Sequence, residues 1–458
     1  MRFAPYFLAL AAGLALRLWM LKKFFQANGD TLLYGGMARN LLLHGQYALS
    51  GANGALQPTL MRLPGYPLFL VACFRLFGIG NYVAVACLQI GLELLGCLLL
   101  ADFARRTASP GYSRGAALAT IWLAAMCPFT ASYTVSPLTE TPTLFVLALA
   151  MWAMARFHER PGWGNGLLFT FAVTYAALLR PDGALAAVAF APALVMGLPS
   201  AAISRVKLAR MATVCILLAL LPFGAWTWRN WSVFHVFQPL APRSAADPGE
   251  PTYPGWERWV STWCLDFVST NQIYWNVPDG PISVSELPNR AFDSAAQQKQ
   301  TAALFAAYED DGEQISPALD KRFAELAGQR IRAHPLRYDF WLPLGRVADM
   351  WLRPRVENLP IDLDWWVYAH HHIETRVSWA LAGLNAFYLL LGAAGLILRP
   401  RFWRALLAYM LLRSLLLMFT VVAPEARYTL ECFPMLFALG GVALAAAGGK
   451  MTPGQMRR

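Results

Sequence analysis

The chain has 458 residues, 57% of them hydrophobic and only 14% charged, with a formal net charge of +11. A soluble globular domain carries about a quarter charged residues, so this composition excludes one, and continuous apolar runs in place of period-two alternation exclude a membrane β-barrel. The basic residues sit in short clusters between the runs, which fits membrane orientation and not nucleic-acid binding.

An all-α polytopic membrane protein with about ten or more transmembrane helices and a mixed outer domain is therefore expected. Spans of about 20 residues are predicted near residues 3–22, 82–103, 115–134, 137–156, 163–180, 183–200, 212–229, 375–398, 403–422 and 428–448. The first, within MRFAPYFLALAAGLALRLWMLKK, shows no small-residue cleavage site after its apolar part and reads as a retained span. With Met1 cytoplasmic, the inside loops collect Arg105, Arg106 and Arg114, then Arg156 and Arg160, then Arg205, Lys207 and Arg210, then Arg399, Arg401 and Arg404. The tail adds Lys450, Arg457 and Arg458, and both termini are expected in the cytoplasm. Arg17, Lys22 and Lys23 run against this pattern and are outnumbered.

Three units follow: an N-terminal transmembrane module over 1–229 with a first outer loop at 23–81, an outer domain over 230–374, and C-terminal transmembrane helices over 375–458. The middle unit holds most of the acidic residues. In its later part Leu319, Phe323, Leu326 and Ile331 fall on one helical face. Trp341 and Trp351 suit helices in the headgroup layer, and Asp247, Glu250, Glu309 and Asp310 read as a solvated acidic face. The seven cysteines lack metal or redox spacing and read as small core residues.

The outer ends of the spans carry the candidate chemistry. NGDTLLYGGMARNLLLHGQY places Asp30 and Tyr34 one helical turn apart, with Leu33, Met37 and Leu41 expected on the membrane surface. QPTLMRLPGYPLFL supplies Arg62 and Tyr66; SYTVSPLTETPTLF supplies Glu140; LLRPDGAL supplies Arg180 and Asp182; VVAPEARYTLE supplies Glu425, Arg427 and Tyr428. Each alone reads equally well as an ordinary charge at a helix end. As a set, with Arg17, Glu140 and Arg180 dipping into the membrane, they point to a shared pocket, because such groups are costly against lipid. Arginine forks hold phosphate oxygens and a carboxylate accepts a proton from a nucleophile. The three histidines of AHHHIE (369–374) point in different directions on a helix and form a poor metal set, so an interfacial patch, or an acceptor contact above the site, is the preferred reading and no metal site is assigned. Glu93 either lines a groove or pairs with Gln89.

In order along the chain, GDTLLYGGMARNLLLHGQYAL, LMRLPGYPLFLVACFRLFG, TVSPLTETP, LLRPDGAL, IRAHPLRYDFWLPLGRVADMW and APEARYTLECFPML resemble the GT-C glycosyltransferases. The likeness is to bacterial members related to dolichyl-phosphate-mannose protein mannosyltransferases and lipid A aminoarabinose transferases, and it is weakest over 245–315. The resemblance implies a bacterial inner-membrane enzyme that moves a sugar from a polyprenyl-phosphate (undecaprenyl-phosphate) carrier to lipid A, another glycan or a secreted protein on the periplasmic side. It places the catalytic base at Asp30. Relatives often have an Asp-Glu pair there, whereas this chain has Asp30 followed by Thr31. Asp30 then acts alone or with Glu140. Arg62, Arg180, Arg427 and Tyr428 are the implied contacts to the donor phosphate, and Tyr34, Tyr66, Arg17 and Glu425 complete the substrate pocket. A divalent metal is compatible with this chemistry and not required by it. One base acting on the acceptor predicts inversion at the anomeric carbon. The alternatives are a transporter or flippase of a lipid-linked sugar, and a membrane scaffold that binds partners through its outer domain.

Overall fold

The computed structural model describes residues 3–196, 198 and 203–448; Met1, Lys450, Arg457 and Arg458, part of the orientation argument, lie outside them. Helices dominate. The N-terminal module holds α1 (Ala4–Phe24), α2 (Asp30–His44), the strands β1 (Ala48–Ser50) and β2 (Leu56–Pro58), α3 (Gly65–Phe77), α4 (Tyr82–Thr107), α5 (Ser113–Ala125), α6 (Pro128–Thr134), α7 (Glu140–Glu159), α8 (Trp163–Leu179), α9 (Leu185–Val195) and α10 (Arg205–Phe234). The outer domain contains α11 (Pro254–Ser261), the single turn α12 (Phe267–Ser269), α13 (Ala295–Asp310), α14 (Pro317–Ala333) and α15 (Leu342–Leu352). The chain ends in α16 (His372–Ile397), α17 (Trp403–Thr420) and α18 (Phe433–Gly448).

Among the described residues, six helices are long and apolar enough to cross a membrane, or seven if α5 and α6, bent by 53°, form one broken span. The break falls at Pro128, which has no amide hydrogen to continue the helix. Three further apolar stretches, Gly65–Phe77, Trp163–Leu179 and Pro181–Val195, are shorter than a full crossing. Gly65–Phe77 forms a helix inside the segment expected to be a loop, since apolar side chains recur there with helical spacing.

The membrane core is built on α4, α5, α7 and α18, with α16 against α18 and α8 against α7. α10 is the opposite case, a 30-residue helix that exposes Ile216, Leu217 and Leu221, as a helix facing lipid does. The basic clusters share one end of the bundle. Arg106 pairs with Glu159, the Arg401 amide donates to the Thr107 carbonyl at 3.0 Å, and the Tyr6 hydroxyl reaches the Arg114 carbonyl at 3.5 Å.

The outer domain has its own core around Trp256, Trp259, Trp263, Phe305 and Phe323. Leu319, Phe323 and Leu326 are buried there as the periodicity predicts. The acidic residues are not uniformly a solvated face: the Asp247 carboxylate accepts the Leu60 amide at 2.7 Å and ties the domain's first loop to the strand pair.

Candidate active site

The local sequence explains how each candidate side chain is held. Gly29, with φ of 47°, lets the chain turn from α1 into α2, and Gly45, with φ of 67°, ends α2 in a left-handed cap. The stripe of Leu33, Met37 and Leu41 does not lie on the membrane surface. Met37 is fully buried and packs with Leu33 and Leu41 against Leu60, Leu63 and Trp226, which rotates Asp30 and Tyr34 toward the bundle. Tyr47 donates to the Arg62 carbonyl at 3.0 Å and stacks edge-on against Trp226, so the strand pair and α10 fix the segment that carries Arg62. At Gly65 a β-carbon would meet the Leu178 backbone, and the Tyr175 hydroxyl donates to the Gly65 carbonyl at 3.0 Å. The MRLPGYP motif is thereby seated on α8.

These constraints bring Asp30, Tyr34, Arg62, Glu140, Arg180, Arg427 and Tyr428 to the wall of one cavity of about 620 Å³, at the end of the bundle opposite the basic clusters. Charge runs through it in an unbroken chain. Asp30 lies 3.2 Å from Arg62 and 3.7 Å from Arg427; Arg427 is 3.9 Å from Glu140; Glu140 is 3.3 Å from Arg180. Arg180 continues to Asp182 at 3.4 Å and Glu431 at 3.0 Å, and fully buried Arg413 closes the chain with Asp182 at 3.1 Å and Glu431 at 2.7 Å. Glu140 is the first residue of α7, where the helix dipole favours a carboxylate.

Two of the expected pocket residues, Glu425 and Tyr66, stand behind the cavity wall. Glu425 holds Arg427 at 2.6 Å and accepts the Tyr428 hydroxyl at 2.6 Å. Tyr66 is buried edge-on under Tyr34 and donates to Gln89 at 2.9 Å, while Gln89 donates to the Thr134 and Ser136 carbonyls at 3.0 Å. Arg17 is elsewhere: it is fully buried among α1, α4 and α5, paired with Glu93 at 2.5 Å and donating to the Ala125 carbonyl at 2.6 Å. It therefore braces the bundle and does not belong to the substrate pocket. Glu93 accordingly pairs with Arg17 and not with Gln89.

The sequence reading missed three arginine and carboxylate contributors. Arg413 interrupts an apolar run and Glu431 stands at the start of one, the signal that marks them. Arg243, in the Pro-rich stretch after α10, also lines the cavity, and among the described residues no carboxylate lies within ion-pair distance of it. Asp30, Glu140, Asp182, Glu425 and Glu431 face Arg62, Arg180, Arg413 and Arg427, one more acid than base. For an incoming anion, Arg243 is the cavity arginine not already committed to a carboxylate.

The cavity carboxylates are each matched to guanidinium groups and do not converge as metal ligands do. Among the described residues the converging set is Asp362, Asp364 and His371, whose ligand atoms lie within 4.8 Å of one another in the outer domain. There His371 faces Asp364 at 3.0 Å and Glu374 at 3.3 Å, while His372 packs on Tyr368, so these contacts join the loop to the start of α16.

Comparison with known proteins agrees with the motif resemblance. Residues 58–226 match the dolichyl-phosphate-mannose-protein mannosyltransferase family, a segment that carries Arg62, Glu140 and Arg180. The match covers less than half of the chain, whose described residues include six helices long and apolar enough to cross a membrane. No curated protein sequence matches the chain. Among solved structures, an oligosaccharyltransferase of Archaeoglobus fulgidus, tethered to an acceptor peptide, overlaps 97% of this chain and 49% of its own, at 12% identity and a TM-score of 0.48. ArnT of Cupriavidus metallidurans bound to undecaprenyl phosphate overlaps 97% of this chain and 78% of its own, at 13% identity and a TM-score of 0.39. The chain thus spans about half the length of the archaeal enzyme.

Proposed function

We propose that the chain is a polyprenyl-phosphate-sugar-dependent glycosyltransferase that transfers a hexosyl or pentosyl group to a cell-envelope acceptor on the periplasmic face of a bacterial inner membrane. The observation that carries this reading is the placement of Asp30 between Arg62 and Arg427 in a cavity open to the outer domain. A sugar on phosphate already has a good leaving group. Catalysis then requires a base for the acceptor and cations for the charge that grows on the phosphate.

The donor phosphate takes up Arg62 and Arg427, and this frees the Asp30 carboxylate to face the acceptor hydroxyl. The acceptor oxygen bonds to the anomeric carbon as its proton passes to Asp30. The bond from that carbon to the phosphate oxygen breaks, and its electron pair leaves on the phosphate. Direct displacement inverts the anomeric configuration. Arg180 and Tyr428 border the same space, with Glu140 next to both Arg180 and Arg427. Arg243 adds the uncommitted cation for the departing phosphate.

The test is transfer of labelled sugar from its polyprenyl-phosphate carrier by the purified protein to lipid A, lipid-linked glycan and peptide acceptors. A product of inverted configuration supports the proposal. Movement of intact carrier across vesicles without transfer would instead support a flippase.

A further inference from the structure

A second cavity, of about 650 Å³, lies at the basic end of the bundle between α9 and α17. Its rim carries Arg399, Arg401 and Arg404, all exposed, and among the described residues no carboxylate is within ion-pair distance of any of them. The turn that presents them is tightly specified. Arg399 has φ of 50° and Phe402 φ of 67°, the left-handed region that side chains other than glycine rarely adopt. The Arg401 amide donates to the Thr107 carbonyl at 3.0 Å, and its guanidinium is 2.8 Å from His158 Nδ1. His158 Nε2 in turn meets the Ala193 carbonyl at 2.5 Å. Arg399 and Arg404 lie over the Trp403 ring at 5.7 and 5.5 Å. They have no side-chain hydrogen bond to the protein among the described residues.

Below the arginines the wall is apolar, formed by Val188, Ala189, Pro192 and Met196 of the α9 segment. Val188 also lines the Asp30 cavity, so the two cavities adjoin at that residue. From Met196 to Val188 the helix rises about 12 Å, close to half of a hydrocarbon core about 30 Å thick. That depth suits the acyl chains of one leaflet and is short for a polyprenyl chain.

We propose that this cavity holds an anionic glycerophospholipid, its phosphate among Arg399, Arg401 and Arg404 and an acyl chain in the groove between α9 and α17. Three guanidinium groups without carboxylates supply the charge complement, and their planar donors match phosphate oxygens. The inference is independent of the catalytic reading, since it involves neither the cavity carboxylates nor transfer.

The experiment is native mass spectrometry of the full chain released from phosphatidylcholine nanodiscs prepared with and without phosphatidylglycerol. The expected result is selective retention of phosphatidylglycerol that weakens as ionic strength rises. In R399Q/R404Q, which leaves the His158-linked Arg401 in place, retention falls by roughly tenfold or more. R399K/R404K, which keeps the charge, retains the lipid and separates loss of charge from misfolding. Equal retention of phosphatidylcholine, unchanged retention in R399Q/R404Q, salt-insensitive binding, or capture of added polyprenyl phosphate in place of phosphatidylglycerol would each overturn the proposal.

Discussion

Asp30 and Arg413 make opposite demands at the scale of single residues, although both carry charge in the same network. Asp30 is partly exposed and reaches the cavity, so Asp30→Asn keeps the fold and carrier binding while transfer falls by about 10²–10⁴, the usual worth of a general base. Single-turnover transfer together with binding of polyprenyl phosphate separates the two effects. An Asp30→Asn protein of full activity would move the base to Glu140. Arg413 is fully buried between Asp182 and Glu431, so Arg413→Leu removes the nearer cation from both carboxylates and leaves Arg180 as the one they share. Breaking a buried pair from one side costs about 3–5 kcal/mol, which a thermal-unfolding series in detergent reads as a large loss of stability. Arg243→Gln is the contrasting case: it leaves the melting temperature near wild type, because among the described residues no carboxylate is within ion-pair distance of it, and raises KM for the donor. Asp30, Arg62, Glu140, Arg180 and Arg427 were legible in the sequence because they sit at or beside the polar outer ends of the spans. Arg413 and Glu431 were not, since Arg413 is a lone charge in an apolar run, Glu431 stands at the start of one, and their partners lie in other segments of the chain.

Among the elements, α2 and α15 show where periodicity informs and where it stops. The apolar stripe of α2 is visible in the sequence, but whether it faces lipid or protein depends on Trp226, nearly two hundred residues later. The same long-range dependence puts Gly65 against α8. Gly65→Val forces MRLPGYP off the Leu178 backbone and is expected to abolish transfer along with the seating of Arg62, which loss of crosslinking between cysteines placed on α3 and α8 would report. α15 carries Asp349, which lies 3.3 Å from Arg353. Burial pushes its carboxyl up to about 6 from an ordinary 3.8, against the lowering effect of Arg353 and with help from Asp266 and Glu357. A carboxyl raised in the folded state binds its proton more tightly there than in the unfolded chain. Its contribution is therefore present at low pH and is lost as pH rises from about 4 through about 6. Asp349→Asn should flatten that window and stabilise the domain at neutral pH by on the order of 1–3 kcal/mol, measured by unfolding at several pH values. An unchanged pH profile in Asp349→Asn would show that another group governs the window.

For the whole molecule, polarity along the membrane normal is the feature that ties sequence to function. The basic clusters gather at one end of the bundle and the acid–base cavity at the other, as the alternating loops imply. What the sequence could not supply was the number of complete crossings, because α3, α8 and α9 are apolar yet short and α5 and α6 share one bent path. If the positive-inside bias sets the orientation, the outer domain and cavity face the periplasm. Cysteines introduced at Glu309 in the outer domain and at Arg404 in the basic turn provide the check. In intact spheroplasts, a membrane-impermeant thiol reagent should label Glu309→Cys at once and Arg404→Cys only after permeabilisation. The reverse pattern would place the cavity on the cytoplasmic side. It would remove the periplasmic acceptor from the proposed reaction while leaving the Asp30–Arg62–Arg427 geometry intact.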